Sequence, residues 1–561
     1  MKRYELLLVG VWVILSGCTQ PGNVPEASET WQFRDVAADV GLRFTHTNGA
    51  TERYFMPEIV GSGVAVFDYD GDGDQDVFLV QGEPVDAPAR GSGHRLFRNE
   101  LVPGGTLRFT DVTEAAGVGT KDVGMGVAVG DIDNDGRPDL YVTSYGANRL
   151  FRNLGEGRFA EITAAAGVAE TRWSTSAVFF DYDRDGWQDL YVANYVDFTP
   201  ATNKDCKSAQ GRKDYCGPQV YNGLPDRLFR NLGHGRFEDV TERSGIGTAP
   251  GPGLGVTPFD ANADGWPDLY VANDGKPNHL WLNQKNGKFR EAAQEVGAAM
   301  AENGVARAGM GVAVADIDGN GAPDVLVTNL TNEGATLYGN EGDKGFFDVS
   351  QHHGVNRSTL RRTGFGVGWF DSLNRGQLDV FVANGAVKLE AESGAGPNPY
   401  GQTNQLLRNE GGQLRDVSAE EGPGLALSEV SRAAAFSDLD NDGDIDIIVT
   451  NNGGPVRLLR NGLRRGGHWL LVTMDGGDSN KLGAGTALEL SRPGQPPLRR
   501  MVEWGYGYLT ANDPRVHFGL GEASGAVAVQ ATWPDRKREV FRFEGVDRMV
   551  TIRRGAGQPV P

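Results

Sequence analysis

The residues of this chain best placed to do chemistry are aspartates at every second position in short loops. The first loop reads Asp68-Tyr69-Asp70-Gly71-Asp72-Gly73-Asp74-Gln75-Asp76. Oxygen donors at positions 1, 3, 5 and 9, a main-chain carbonyl at position 7 (Asp74) and glycine at position 6 suit a hard divalent cation that takes six to eight oxygens. Without a cation, carboxylates this dense repel one another. The spacing recurs as Asp131, Asp133, Asp135 and Asp139 with Arg137 at the carbonyl position, and as Asp181, Asp183, Asp185 and Asp189 with Trp187. It recurs again as Asp438, Asp440, Asp442 and Asp446 with Asp444. Two loops are diluted: Asp260, Asn262, Asp264, Trp266, Asp268, and Asp316, Asp318, Asn320, Ala322, Asp324. Each asparagine keeps an oxygen but loses charge, so these sites should hold their ion more weakly. A seventh loop keeps Asp371 and Asp379 but has Leu373 and Arg375 at donor positions. It is expected to be empty, with Arg375 supplying the missing positive charge. The cation expected is calcium, at about six sites.

Overall charge agrees with local cation binding. The chain has 54 Lys plus Arg and 74 Asp plus Glu, a formal charge of −20, and the six loops hold 24 of those acids. The excess acid is thus almost wholly local, and no basic stripe exists for a nucleic-acid partner. With 80 glycines and 39% hydrophobic residues, the composition fits short strands and turns better than a helical bundle.

The elements that must carry these loops repeat seven times. An aromatic strand such as Phe109-Thr110-Asp111-Val112 precedes a glycine-rich apolar strand, the aspartate loop, a third strand and a Leu-Phe-Arg-Asn strand. Loops begin at Asp68, Asp131, Asp181, Asp260, Asp316, Asp371 and Asp438, so the period is that of a four-stranded propeller blade. In the helix-loop-helix calcium hand the twelfth position is a bidentate Glu. Here it is Leu79, Val142, Val192, Val271, Val327 or Val449, inside β-branched strands, which excludes that fold. The array starts on the Asp35 strand and ends on the Leu459 strand. Elsewhere these two types are consecutive partners, so the terminal strands should pair and latch a seven-bladed ring. Flanked by such strands, the loops resemble the FG-GAP repeats of integrin α-chain propellers, also called VCBS repeats. The resemblance covers about residues 31–461 and implies a calcium-binding all-β propeller.

After the linker Leu463-Arg464-Arg465-Gly466-Gly467 the period stops. His468-Trp469-Leu470-Leu471-Val472, Gly483-Ala484-Gly485, Gly505-Tyr506-Gly507-Tyr508, His517-Phe518-Gly519-Leu520-Gly521 and Thr532-Trp533-Pro534 resemble the ASPIC/UnbV domain of cartilage-acidic-protein-like chains. Alternating apolar and polar residues broken by Gly and Pro independently indicate a small β domain. It is assigned to residues 466–556, with a tail at 557–561. Phe44-Thr45-His46 through Tyr54 and Glu58 to Gly61-Ser62-Gly63 resembles the opening of bacterial members. Where such members carry Asn-Gly-His after the sixth loop, this chain has Asn384-Gly385-Ala386, so no chemistry of that histidine is assigned.

Lys2 and Arg3 precede the apolar run Leu6 to Leu15, too short to span a bilayer but of secretory-signal size. Leu15-Ser16-Gly17-Cys18 resembles a bacterial lipobox, which implies a signal at 1–17, acylation of Cys18 and a tether at 18–30. Thr19 is not the aspartate associated with inner-membrane retention, so an outer-membrane anchor in the cell envelope is expected. Export favours a disulfide between Cys206 and Cys216. These cysteines lie in the longest excursion, Val196 to Asp226, whose Lys204, Lys207, Arg212, Lys213, Tyr215 and Tyr221 make it the first candidate for recognising a protein or glycan partner. A stapled surface loop without a ligand is the alternative.

No nucleophile elbow, phosphate loop, His-Glu-x-x-His or haem signature occurs. His352 and His353 are adjacent and expected to point apart. Tyr506, Tyr508, Trp187 and Trp266 would stack on sugars if exposed, or pack in the blades. The function expected is a calcium-stabilised, non-enzymatic binding, adhesion or scaffold protein. The rival is a propeller enzyme acting on polysaccharide or another extracytoplasmic substrate.

Overall fold

The computed structural model describes residues 32–87, 92–389, 398–462, 466–478 and 480–560. The lipobox, Cys18, the tether and Leu463 to Arg465 lie outside them. Among the described residues, 33–461 form seven sheets of four antiparallel strands each, the first extended in parallel by Thr510–Ala511, beside two two-stranded sheets, and the chain is an all-β propeller. In each sheet the glycine-rich strand is innermost. In the second blade Val123–Gly130 pairs with Asp139–Tyr145, which pairs with Arg149–Gly155, then Arg158–Glu161. The aspartate loop is the turn joining the first two strands of each blade. The repeat read from the sequence is therefore offset from the blade by one strand, since its opening aromatic strand forms the outer edge of the preceding sheet. That offset brings the two ends of the array together. Phe33–Asp35 pairs with Arg457–Asn461 in register Phe33 to Asn461 and Asp35 to Leu459, and supplies the fourth strand of the seventh blade.

Burial drives the rest. Blades are clad on both faces, so their strands read as near-continuous apolar runs. Leu140, Val142, Leu190, Val192, Leu269 and Val271 are all fully buried. Between consecutive blades lie seven apolar clusters, and the last joins Val64, Val66 and Val77 of the first blade to Ala433, Ala435 and Leu458 of the seventh.

One element was not expected from the sequence. After the outer strand the chain makes a single helical turn, as at Thr113–Ala116, where Asp111 Oδ1 accepts the Thr113 N–H at 3.0 Å. Gly117 ends the turn at φ +77°, a conformation that disfavours side chains.

The C-terminal unit is a second β domain. His468–Asp475 lies between Val516–Gly521 and Arg548–Arg553, and a five-stranded sheet runs Leu498–Met501, Ala487–Ser491, Val527–Thr532, Arg538–Phe543 and Gln558–Val560. The expected tail is in part an edge strand, since Gln558–Val560 pairs along Arg538–Val540.

This domain sits on the aspartate-loop face and sends one segment into the propeller channel. Thr510 and Ala511 pair in parallel with Val64 and Ala65, and Gly507 exchanges two main-chain hydrogen bonds with Val312. Leu509 N–H reaches Ser176 Oγ at 3.1 Å, Tyr508 meets the Phe365 ring edge-on at 4.8 Å, and Asn512 Oδ1 accepts the Phe436 N–H at 3.2 Å. Inner-strand glycines let neighbouring inner strands approach closely, as at Gly311, where a Cβ would lie 2.1 Å from the Phe365 carbonyl oxygen, and at Gly63 and Gly126 they also make room for this segment. A Cβ on Gly63 would lie 2.6 Å from the Leu509 carbonyl, and one on Gly126 would lie 3.1 Å from Leu509 Cα.

Candidate metal centre

Each aspartate loop is built from the main chain outward. The position-1 carboxylate accepts loop N–H groups: Asp131 takes Asp135 N at 3.0 Å and Gly136 N at 2.8 Å, and Asp181 and Asp438 do the same for their loops. The position-9 carboxylate is buried at the root of the second strand. Asp139 Oδ2 accepts Ile132 N at 2.9 Å, and its Oδ1 accepts Asn153 N at 2.7 Å.

Three carboxylates then converge. Oxygens of Asp68, Asp70 and Asp76, of Asp131, Asp133 and Asp139, of Asp181, Asp183 and Asp189, and of Asp316, Asp318 and Asp324 lie within 4.8 Å of one another in each loop. These are positions 1, 3 and 9. In the seventh loop the trio is Asp438, Asp440 and Asp442, positions 1, 3 and 5. Position 5 also orders its own loop, in the seventh as elsewhere: Asp442 accepts Asp444 N at 3.0 Å. Asp72, Asp135, Asp185 and Asp264 each accept the N–H two residues on, from Asp74, Arg137, Trp187 and Trp266. In the fourth loop Asn262 is exposed, and its Oδ1 accepts Asp264 N at 3.1 Å.

A divalent cation fits these loops by a direct criterion. Asp70 Oδ1, Asp133 Oδ1, Asp183 Oδ1 and Asp440 Oδ1 are buried position-3 oxygens with no hydrogen-bond partner. A buried anionic oxygen left unpaired is costly, and a hard cation is what the donor chemistry suits. Burial, only partly offset by the N–H groups of Gly71 and Gly73, with a smaller push from Asp72 and Asp70, takes Asp68 up to about 6, and burial takes Asp76 to about 9. The Arg of the third strand partly neutralises position 3: Arg152, Arg230 and Arg460 reach Asp133, Asp183 and Asp440 at 2.5 Å each. In the sixth loop Arg375 Nη2 donates to Asp379 Oδ1 at 2.6 Å, while Asp371 accepts Arg375 N and Gly376 N.

A further set of residues was missed in the sequence. The Asn of Leu-Phe-Arg-Asn staples adjacent blades. Asn153 Nδ2 donates to Tyr69 O, Asn231 to Ile132 O, Asn283 to Tyr182 O and Asn340 to Ala261 O, each at loop position 2 of the preceding blade, at 2.8–3.0 Å. Asn99 to Leu439 O and Asn461 to Ser372 O continue the series through the closure. Its repetition in the sequence was the available signal.

The Cys206–Cys216 disulfide is present. Its excursion is not a free recognition arm. Tyr215 is buried and its hydroxyl meets Glu58 Oε2 at 3.2 Å, Asp214 accepts the Tyr400 hydroxyl at 2.8 Å, and Lys213 Nζ reaches Glu52 O at 2.9 Å. The loop therefore caps the channel mouth, leaving Lys204, Lys207 and Arg212 exposed. The four candidate stacking aromatics are not exposed either. Tyr508 is fully buried, Tyr506 is half-buried beside Phe436, Trp187 lies near His234, and Trp266 lies under the Arg184 guanidinium at 4.5 Å. His352 and His353 do not point apart: their rings meet edge-on at 4.9 Å in a turn, and His353 Nδ1 is tied to Gly412 O.

Residues 68–142, 131–192, 211–271 and 260–327 match the FG-GAP-like repeat family, and residues 476–559 match the family described as ASPIC and UnbV. The chain is similar to cartilage acidic protein 1 of Mus musculus, 28% identical over 313 residues, and of Homo sapiens, 27% over 312. Those alignments cover 54% of this chain but only 44% and 43% of the relatives, so the match spans less than half their length. Among solved structures, an Agrocybe aegerita lectin recognising non-reducing terminal N-acetylglucosamine aligns over 66% of this chain and 88% of its own, at 16% identity and TM-score 0.35. YCF48 bound to D1 peptide aligns over 74% and 94%, at 8% identity and TM-score 0.40.

Proposed function

From the premise that this chain is an FG-GAP-repeat propeller with an ASPIC/UnbV domain, homologous to cartilage acidic protein 1, we propose that it is a calcium-stabilised, non-enzymatic binding protein of the bacterial cell envelope. The observation that carries the reading is the set of five convergent carboxylate trios, four of which include an unpaired buried position-3 oxygen. Calcium would be held by positions 1, 3 and 9 of the first, second, third and fifth loops, by positions 1, 3 and 5 of the seventh, and more weakly by Asp260, Asn262 and Asp268. When bound it supplies charge neutralisation and rigid cross-links, which is structural chemistry. At about 1 mM calcium and site constants of roughly 10–100 µM, each intact site would add about 1.4–2.7 kcal/mol to the stability of the ring.

The lipid-anchor part of the reading rests on the Leu15-Ser16-Gly17-Cys18 sequence alone. For the ligand face, the exposed basic tip of the 196–226 cap, Lys204, Lys207 and Arg212, suits an acidic protein or glycan partner. The test is calorimetry of the mature protein with calcium and after EDTA, beside elemental analysis. A melting temperature that falls by several degrees on chelation, with about five or six calcium ions per chain, is expected. A melting curve indifferent to EDTA together with metal-free protein would end the proposal. Loss of radiolabelled palmitate in C18A tests the anchor.

A further inference from the structure

Where the C-terminal domain meets the aspartate-loop face, two adjoining cavities of about 350 and 500 Å³ remain, of the size that takes small molecules. Glu503 lines both. It stands just after the C-terminal strand Leu498–Met501, and across the domain boundary the hydroxyl of Thr257, on the inner strand Gly253–Phe259 of the fourth blade, donates to its Oε1 at 3.2 Å. In the smaller cavity its neighbours are aromatic. Tyr506, three residues on, is near enough for the Glu503 charge to help keep its hydroxyl protonated. The Tyr506 ring stacks on Phe436 at 6.4 Å and 19°, Phe436 lies 5.4 Å from Phe370, and all three rings line the cavity.

Glu503 has no cation of its own. Among the described residues the Thr257 hydroxyl is its one hydrogen-bond partner, and no Lys, Arg or His pairs with it. The other charges of the smaller cavity are already matched. Asp513 holds Arg515 at 2.7 Å, Asp316 and Glu489 hold Arg499 at 3.4 and 2.9 Å, and Asp371 and Asp316 balance Arg500. Asp260 and Asp371 also accept main-chain N–H groups of their own loops. Burial, offset only by Thr257, pushes Glu503 well above the usual carboxylate range, so its ionised form is unfavourable there until a cation joins it.

We propose that this interdomain cavity binds a small organic ammonium ion with an apolar body, its N–H groups donating to the Glu503 carboxylate and its body lying against Tyr506, Phe436 and Phe370. An ammonium brings the counter-charge and up to three donors, and a charge-assisted bond to a carboxylate is stronger than a neutral one. Aromatic ring faces attract the same charge. Calcium does not suit this wall, since it takes six or more oxygens and Glu503 and Thr257 together offer three. An anion does not suit it either, because the five carboxylates of the cavity outnumber its three guanidinium groups. The site shares no residue with the basic tip of the 196–226 cap and does not depend on which ions fill the aspartate loops.

The test is titration calorimetry on the full chain in calcium buffer near neutral pH, with phenethylamine, 2-phenylethanol and phenylacetate as probes: a cation, a neutral molecule and an anion on closely similar bodies. A melting curve in the same buffer shows that the chain is folded, so a null titration counts against this site and not against calcium binding. Phenethylamine should bind saturably and at least about tenfold more tightly than the alcohol or the anion, since only it offers the charge-assisted pair. E503Q should lose about tenfold or more for phenethylamine while its affinity for 2-phenylethanol stays unchanged, and Y506L should weaken both by a few-fold. No saturable phenethylamine binding up to about 10 mM, equal affinity for the alcohol, tighter binding of phenylacetate, or an E503Q protein that binds phenethylamine like the wild type would each overturn the proposal. Should E503Q fail to fold, the three-probe comparison on the wild-type chain decides alone.

Discussion

Truncating Tyr508 to alanine should loosen the C-terminal domain from the propeller by an amount set by what its side chain touches. The residue is fully buried at the centre of the channel, its ring edge-on to Phe365, and its hydroxyl donates to Val60 O at 3.1 Å. Large-aromatic-to-alanine changes in cores cost about 3–5 kcal/mol, and an orphaned buried carbonyl adds about 1–3. The two overlap, so about 4–6 kcal/mol is expected for Y508A and about 1 kcal/mol for Y508F, which removes the hydrogen bond alone. Calorimetry separates two outcomes. If both domains melt as one unit of roughly 500 residues, unfolding entropy near 1 kcal/mol/K turns this loss into a shift of about 4–6 °C. If the C-terminal domain of roughly 90 residues comes free by itself, the same loss gives a separate early transition about 20 °C or more lower. A Y508A endotherm within about 1 °C of wild type would refute the buried-plug argument, because a segment merely resting on the propeller loses almost nothing on truncation.

Other consequences are equally direct. R375M should destabilise the protein by about 3–5 kcal/mol in urea, because Asp379 is fully buried and loses its cationic partner; a cost below about 1 kcal/mol would deny Arg375 that role. Reducing Cys206–Cys216, ten residues apart, should cost about 3 kcal/mol and admit protease at the channel cap, so identical unfolding and digestion with and without reductant would oppose it. Glu170 is buried, which alone would raise its pKa, but hydrogen bonds and charge from Arg172, with further N–H donors, hold it down at about 2. Its folded pKa lies below its ordinary value, so its contribution, at most about 3 kcal/mol, is present above about pH 4.5 and lost as pH falls toward 2. The stability gap between wild type and E170Q should therefore shrink with acidification, and a gap that stays constant from pH 6 to 3 would contradict it.

The sequence was most readable where chemistry and spacing are local. Alternate aspartates ahead of β-branched strands state a turn, its donors and its exit in nine residues, and counting two strand types was enough to expect Phe33–Asp35 against Arg457–Asn461. What escaped depends on contacts between distant segments. In sequence Tyr215 lies in a candidate recognition loop and Tyr508 is open to either sugar stacking or packing; both are buried, because the surface that covers them belongs to distant segments. The channel segment left an imprint in the glycines facing it, Gly63 and Gly126, but glycine in an inner strand does not reveal what approaches it. The Asn staples recur through the repeats and passed as ordinary strand ends, since a side-chain amide signals no partner until the neighbouring blade is placed beside it.

The pairing of Phe33–Asp35 with Arg457–Asn461 also governs how the molecule can be made. The last sheet takes its edge from Phe33–Asp35, the first strand among the described residues, and the Asp35 carboxylate accepts the Leu458 N–H from 423 residues further along. Loop closure over that distance must come before the contacts that reward it. A nascent chain therefore carries an unmated edge until Arg457–Asn461 has been made, and any product cut short before residue 457 leaves that edge open to pairing with another molecule.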